Sequence, residues 1–196
     1  MNLAELQAEV IAITNRPDLV TQTLAAVQAA TLKCHQADFW PKDIYETGVS
    51  FSSSLYEQDF EVRTFIPLFR AIKFARVYDN TDSEPLQFFT IIDPANVLDS
   101  YNQARTDVCY LGGSEIHFKC SIQFQHMLFG CYNNPTVTEV GYSSWIAVDY
   151  PWAIIHEACR RIFMITGQDK KLKASSDEFA EQLQLLRINN ISAQGQ

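Results

Sequence analysis

The 196-residue chain has no run of lysines and arginines, no CxxC pair, no glycine-rich phosphate loop and no apolar stretch of membrane-spanning length. Each absence removes a class of function. Fifteen Lys and Arg stand against 23 Asp and Glu, a net charge of −8. Nucleic-acid phosphates and anionic lipid are held by clustered cations, so neither is expected as a stable partner. Met1–Val10 carries two glutamates and no continuous apolar core, so it does not read as a signal peptide. No later segment reaches the roughly 20 apolar residues a membrane helix needs. A protein made and kept in a cytoplasm, with no membrane partner, is the expectation.

Catalytic signatures are missing as well. The chain has neither G-x-S-x-G nor GxGxxG. His156-Glu157 opens like the zinc-protease HExxH, but position 160 is Arg, so the second imidazole one turn on is absent. His156 and Cys159 are spaced to share a helix face, yet a zinc site would need two more ligands from scattered residues. The five cysteines, Cys34, Cys109, Cys120, Cys131 and Cys159, are odd in number and read as free buried thiols. Cys34-His35 is the one adjacent thiol–imidazole pair. Neighbours on a helix point about 100° apart, so a core cysteine beside a surface histidine is expected there. Asp93, Asp99 and Asp107 fall in expected loops, with no spacing that singles out an acid/base pair. No enzyme activity, no metal and no cofactor are expected.

What the chain does have is apolar material: 47% hydrophobic residues, with thirteen Phe, eight Tyr and three Trp. That suffices for one sizeable core, and a single domain over 1–190 is expected. The aromatic excess leaves room for an apolar interface between subunits. Leu3, Leu6, Val10 and Ile13 fall on one face of a helix over Leu3–Thr14, and Val20, Leu24, Val27, Thr31 and Cys34 on one face of a second that Pro17-Asp18 opens and that runs to about Ala37. Phe39-Trp40-Pro41 ends it.

The period then changes from helical to alternating. Val49, Phe51, Ser53 and Leu55 alternate with serines, and further β-like runs follow at Phe60–Ile66, Ile72–Tyr78 and Leu86–Ile92, with the polar stretch Asp79–Pro85 between. Val108–Leu111 leads through a Gly112-Gly113 turn into Ile116, Phe118, Cys120, Ile122 and Phe124. Met127–Tyr132 reads as a return arm. A two-residue turn at Gln125-His126 would set Cys120 opposite Cys131, close enough to bridge, although a longer loop would shift that register. Helical period returns after Gly141. Ser143 or Ser144 caps a short helix, Pro151 opens a longer one over Ile155, Ala158, Ile162 and Ile165, Gly167 stops it, and a last helix runs from about Asp169 to Asn189. Residues 191–196 have no period and read as a flexible tail. The fold class expected is α+β: an N-terminal helical hairpin (1–38) and a C-terminal antiparallel helix pair (within 144–190) forming one helical body, with a mainly antiparallel β-rich insertion (48–135) between them.

Three stretches in this order carry a family likeness. They are Asn15-Arg16-Pro17-Asp18-Leu19 with Ala37-Asp38-Phe39-Trp40; Gly112-Gly113-Ser114-Glu115-Ile116-His117-Phe118 with the return ending Cys131-Tyr132-Asn133-Asn134-Pro135; and Ser144-Trp145-Ile146 through Tyr150-Pro151, then two closing helices about Gly167. Together they resemble the head-to-tail adaptor, or head-completion, proteins of tailed bacteriophages, called tail tubular protein A in short-tailed phages. Where that group often has a Tyr pair, this chain has Cys131-Tyr132. The resemblance implies a non-catalytic virion protein at the head–tail junction, assembled as a homo-oligomeric ring, typically a dodecamer. Such a ring sits under the portal protein, extends the DNA channel without binding DNA specifically, and offers a platform to the next tail component, a nozzle, tail tube or neck protein. It also implies that the C-terminal segment, Asn189, Asn190, Ile191, Ser192, Ala193, Gln194, Gly195 and Gln196, docks on the portal and orders on binding. Other neck, tail-completion or baseplate roles share this composition. A small thiol enzyme at Cys34-His35 or His156-Cys159, and a peptide-binding module using an open sheet edge, are the readings of other classes. Against the last, no strand reads as unusually flat and exposed.

Overall fold

In the computed structural model the backbone is described for residues 1–78 and 85–194, and side chains for 1–78 and 87–190. The chain is mixed α+β with a mostly antiparallel sheet. In order it runs α1 (Leu3–Thr14), α2 (Val20–Gln36), a 3-10 turn (Pro41–Asp43), β1 (Ile44–Glu61), α3 (Val62–Phe65), β2 (Phe69–Tyr78), β3 (Pro85–Phe88), β4 (Thr90–Ile91), a second 3-10 turn (Pro94–Asn96), β5 (Val108–Gly112), β6 (Glu115–Asn133), α4 (Trp145–Asp149), α5 (Pro151–Thr166) and α6 (Asp169–Gln194). It divides into two compact units, Met1–Asp43 with Asn134–Gln196, and Ile44–Asn133. Each unit has its own buried cluster, so the single core expected from chain length is two.

In the helical unit α1 starts on a capping box: Asn2 Oδ1 accepts from Glu5 N, and Glu5 Oε2 accepts from Asn2 N. It ends on Asn15 in the left-handed conformation, φ 52°. Pro17 does not open α2 as expected; it lies in the connecting turn beside the Arg16–Asp18 ion pair, and α2 begins at Val20. Ile13 and Val20 are exposed rather than buried, while Thr14, Thr23, Ala26 and Ala30 take their places in the core. Small residues on α2 let α5 approach closely. α5 begins on Pro151 and stops on Gly167, φ 67°, whose N–H donates to Phe163 O. Its core face is Ala153, Ile154, Ile155, Ala158, Cys159, Ile162 and Phe163; Ile165, expected inside, is 61% exposed. α6 adds Phe179 and Leu186 to the same core. The backbone continues in α6 through Gln194, past the stop expected at Asn189, so the segment expected to be structureless is helical over 191–194. Gly195 and Gln196, and the side chains of 191–194, lie outside the described residues.

In the sheet unit β6 is central. β1 pairs along one edge of it over nearly its whole length; β5 and β2 share the other edge, β5 over the first half and β2 over the second. β3 extends β2, and the two-residue β4 pairs parallel to β5. The β5–β6 hairpin turns through Gly113-Ser114 with Gly113 at φ 69°, so Gly113 supplies the positive φ and Gly112 remains in the strand.

Two expectations fail here. Phe60–Ile66 is not a strand: β1 ends at Glu61, and Val62–Phe65 is one helical turn. There is also no turn at Gln125-His126, because β6 runs unbroken from Glu115 to Asn133. What changes there is the face. Ile116, Phe118, Cys120 and Phe124 are buried before it, and Met127, Phe129 and Cys131 after it, a switch from even to odd positions. A one-residue slip moves every later side chain to the other face. Opposite it, β1 bulges between Ser50 and Leu55. Phe118 and Phe129 lie 6.4 Å apart by ring centroids although their separation along an extended strand would be about 36 Å. β6 is therefore sharply bent, and its two halves enclose one aromatic core with Phe60, Phe89 and Phe124. The buried Gln58 stitches the bulge, its Nε2 donating to Ser53 O (2.7 Å) and Phe124 O (3.1 Å). Cys120 and Cys131 sit on this one strand and are both free. The expected stretch Asp79–Pro85 lies outside the described residues but for the Pro85 backbone, which opens β3.

Candidate functional site

The thiols are placed for packing. Cys34, Cys109 and Cys159 are fully buried, and burial pushes each up to about 12; Cys131 is pushed up to about 11 for the same reason. Thiols so raised stay protonated at neutral pH and make poor nucleophiles or metal ligands. His156 lies tilted against Trp152, ring centroids 5.7 Å apart, and burial lowers its pKa. Among the described residues no three of His, Cys, Asp and Glu are grouped to hold a metal ion, and no helix is long and apolar enough to cross a membrane.

His35 overturns its expected surface position. It is 1% exposed, with Nδ1 2.8 Å from Asp43 Oδ1 and Nε2 2.9 Å from Ser144 Oγ. Trp145 Nε1 donates to the same Asp43 oxygen at 2.7 Å. α2 supplies His35, the 3-10 turn after Trp40 supplies Asp43, and the start of α4 supplies Ser144 and Trp145. In sequence Ser144 stands 109 residues from His35, and neither periodicity nor motif links them. The local cue for burial was position: His35 follows Thr31 and Cys34 on the core side of α2.

Hydroxyl, imidazole and carboxylate in series is the geometry that activates a serine. Here two features give it a structural role. Ser144 is the N-cap of α4, its Oγ accepting from Ala147 N at 3.2 Å, and Asp43 is shared with the indole of Trp145. A base that passes a proton to a leaving group needs access, and His35 has almost none. The series braces the junction of α2, the 3-10 turn and α4. Next to it Tyr142, raised by burial, bonds Thr31 Oγ1 at 2.8 Å.

A second polar centre is Glu157 on α5. Its side chain is fully buried and takes Lys33 Nζ at 2.9 Å, Arg160 through Nε and Nη2 at 2.7 and 2.8 Å, and Arg161 Nε at 3.0 Å. Burial works to raise this carboxyl. The hydrogen bonds from Arg160 and Lys33 outweigh it and hold it below its ordinary value.

The expected docking segment begins beside a half-open pocket of about 250 Å³, lined by Pro41, Lys42, Trp145 and Tyr150 together with Leu186, Asn189 and Asn190 of α6. Asn189 Nδ2 donates to Tyr150 Oη at 2.9 Å. Lys42 pairs with Asp149 at 2.6 Å, its ammonium 5.1 Å from the Trp145 ring centroid. Asn189 and Asn190, the first two residues of the expected docking segment, are thus part of the helical unit's surface.

No protein-family model matches this chain, and no curated protein matches it. The functional reading therefore stands on the residues themselves.

Proposed function

We propose that the chain is a structural adaptor of a tailed-bacteriophage virion, a ring-forming subunit that docks under the portal, extends the DNA channel and carries the tail. The observation that supports this most is the division of labour. Helices from both ends of the chain share one core, while Ile44–Asn133 forms a sheet with a core of its own. A ring subunit needs a rigid body and a separate surface to present to neighbours. A net charge of −8 suits a channel wall along which DNA slides without sticking. Asn189–Gln196 is the segment that would reach the portal.

Native mass spectrometry of the purified chain mixed with portal rings tests the reading. A ring-stoichiometric complex supports it. Absence of binding to every cognate portal, with absence from purified virions, overturns it. Removing Ile191–Gln196 should leave the fold intact and weaken attachment. The Ser144–His35–Asp43 series gives a serine hydrolase its one supporting observation, and a fluorophosphonate probe decides that case: labelling of the native chain but not of Ser144→Ala would establish it.

A further inference from the structure

Three cations meet on the single carboxylate of Glu157. Its side chain is fully buried, while those of Lys33 on α2 and of Arg160 and Arg161 on α5 are 25–42% exposed. Among the described residues Glu157 is the one acid that any of the three pairs with. Lys33 Nζ and Arg160 Nε share one of its oxygens and Arg161 Nε takes the other, so the three charges form one patch on the helical unit's surface. That patch is locally positive in a chain of net charge −8. It also keeps donors in reserve. Arg160 is held through Nε and Nη2, Arg161 through Nε alone and Lys33 through its ammonium, which leaves Nη1 of Arg160, both terminal nitrogens of Arg161 and further ammonium protons of Lys33. Lys33 is fixed a second time by Phe179 of α6, whose ring centroid lies 4.8 Å from Nζ.

The chain carries a surface of the opposite sign. Where β1 pairs with the first half of β6, Glu57 stands opposite Lys119, Asp59 opposite His117 and Glu61 opposite Glu115. Direct partners share a face. The residues between them, Gln58, Phe60, Ile116 and Phe118, are buried, so the six lie on the outward face. Four of the six are carboxylates, and the one ammonium among them, Lys119, reaches Glu57 at 3.1 Å. Copies of an acidic chain repel one another unless an acidic surface meets a locally positive one. We propose that the Lys33–Arg160–Arg161 patch of one copy receives the Glu57–Asp59–Glu61 face of the next. Because Glu157 and Phe179 already hold the cations in place, little rotamer freedom remains for them to lose on contact. The two surfaces differ, so the contact is head-to-tail, the kind that closes into a ring when the rotation permits. This inference rests on the ring-forming reading above and names the contact that makes the ring.

The test uses two variants, each of which spoils one surface and keeps the other. Asp59→Lys with Glu61→Lys reverses the acidic face at two exposed positions. Arg161→Gln weakens the patch while leaving Lys33 and Arg160 on Glu157. Both should fold; if a thermal melt shows that Arg161→Gln does not, Lys33→Gln takes its place. By native mass spectrometry, with and without portal rings, each variant alone should need about tenfold more protein than the native chain to form rings. Mixed, the two variants retain one intact patch and one intact face between them, and should give 1:1 pairs that neither gives alone. Rings that form equally well in both variants, or a mixture without such pairs, overturn the contact and leave the adaptor reading in place. No ring from the native chain under any condition, portal included, overturns both.

Discussion

Glu157 is the side chain on which the helical unit's polar balance turns. Fully buried, it is matched by three cations that are each partly exposed, so its removal strands donors that water can still reach in part. Glu157→Gln should cost about 2 kcal/mol, less than the loss of a fully buried pair. Its folded pKa lies below the unfolded value. The stability it contributes is therefore complete above the ordinary glutamate range and is lost as pH falls through the lower folded value. The gap between native and variant denaturation midpoints should be widest near pH 7 and close in acid; a gap constant with pH would contradict this account. Gly130 makes a steric case of another kind. A Cβ there would stand 2.3 to 2.7 Å from the half-buried Phe74 ring, which packs under the Arg76 guanidinium. Gly130→Ala should destabilise the sheet unit by about 1–3 kcal/mol, and Gly130→Ala with Phe74→Leu should recover part of that in a thermal melt.

At the scale of elements, the bent β6 depends on the stitched bulge. Gln58 gives its amide hydrogens to the carbonyls of Ser53 and Phe124 on either side of the bulge. Gln58→Leu should keep the packing volume, leave the buried Phe124 carbonyl and the partly buried Ser53 carbonyl short of a donor, and cost about 1–3 kcal/mol, with faster amide exchange concentrated over 50–58. Exchange that rises uniformly would argue that the bulge is held by something else. The same element shows what could be read beforehand. Alternation located β6 from Ile116 to Tyr132 and broke at the right residues, but a hairpin turn and a face switch within one strand produce the same phase break. Only the register with β1 tells them apart. Helix ends set by a local residue were legible: Ser143 or Ser144 as a cap, of which Ser144 is the one used, and Gly167 as a stop. Ile13, Val20 and Ile165 were misplaced because an apolar residue at the margin of a helical stripe is buried only if another helix reaches it. The His35–Asp43–Ser144 series was not legible at all, since it depends on tertiary contact across most of the chain.

For the molecule as a whole, the deciding fact is how the sheet unit is joined to the chain. Ile44 and Tyr132 are direct partners in the β1–β6 ladder, so the sheet unit begins and ends at backbone positions about 5 Å apart. Such a gap is spanned by two or three residues. The two buried clusters share no residue, and Trp40, Trp145 and Trp152 all lie outside Ile44–Asn133. Replacing Ile44–Asn133 by a short Gly-Ser linker should therefore leave a helical unit that melts cooperatively, with tryptophan emission close to that of the intact chain. Trp40, fully buried with its indole N–H on Cys34 O at 3.1 Å, is the sensitive reporter. If the adaptor reading holds, this shortened chain keeps its affinity for the portal, because Asn189–Gln196 is retained. A shortened chain that is molten, with red-shifted emission and no cooperative transition, would mean that the helical core is completed only by the sheet unit.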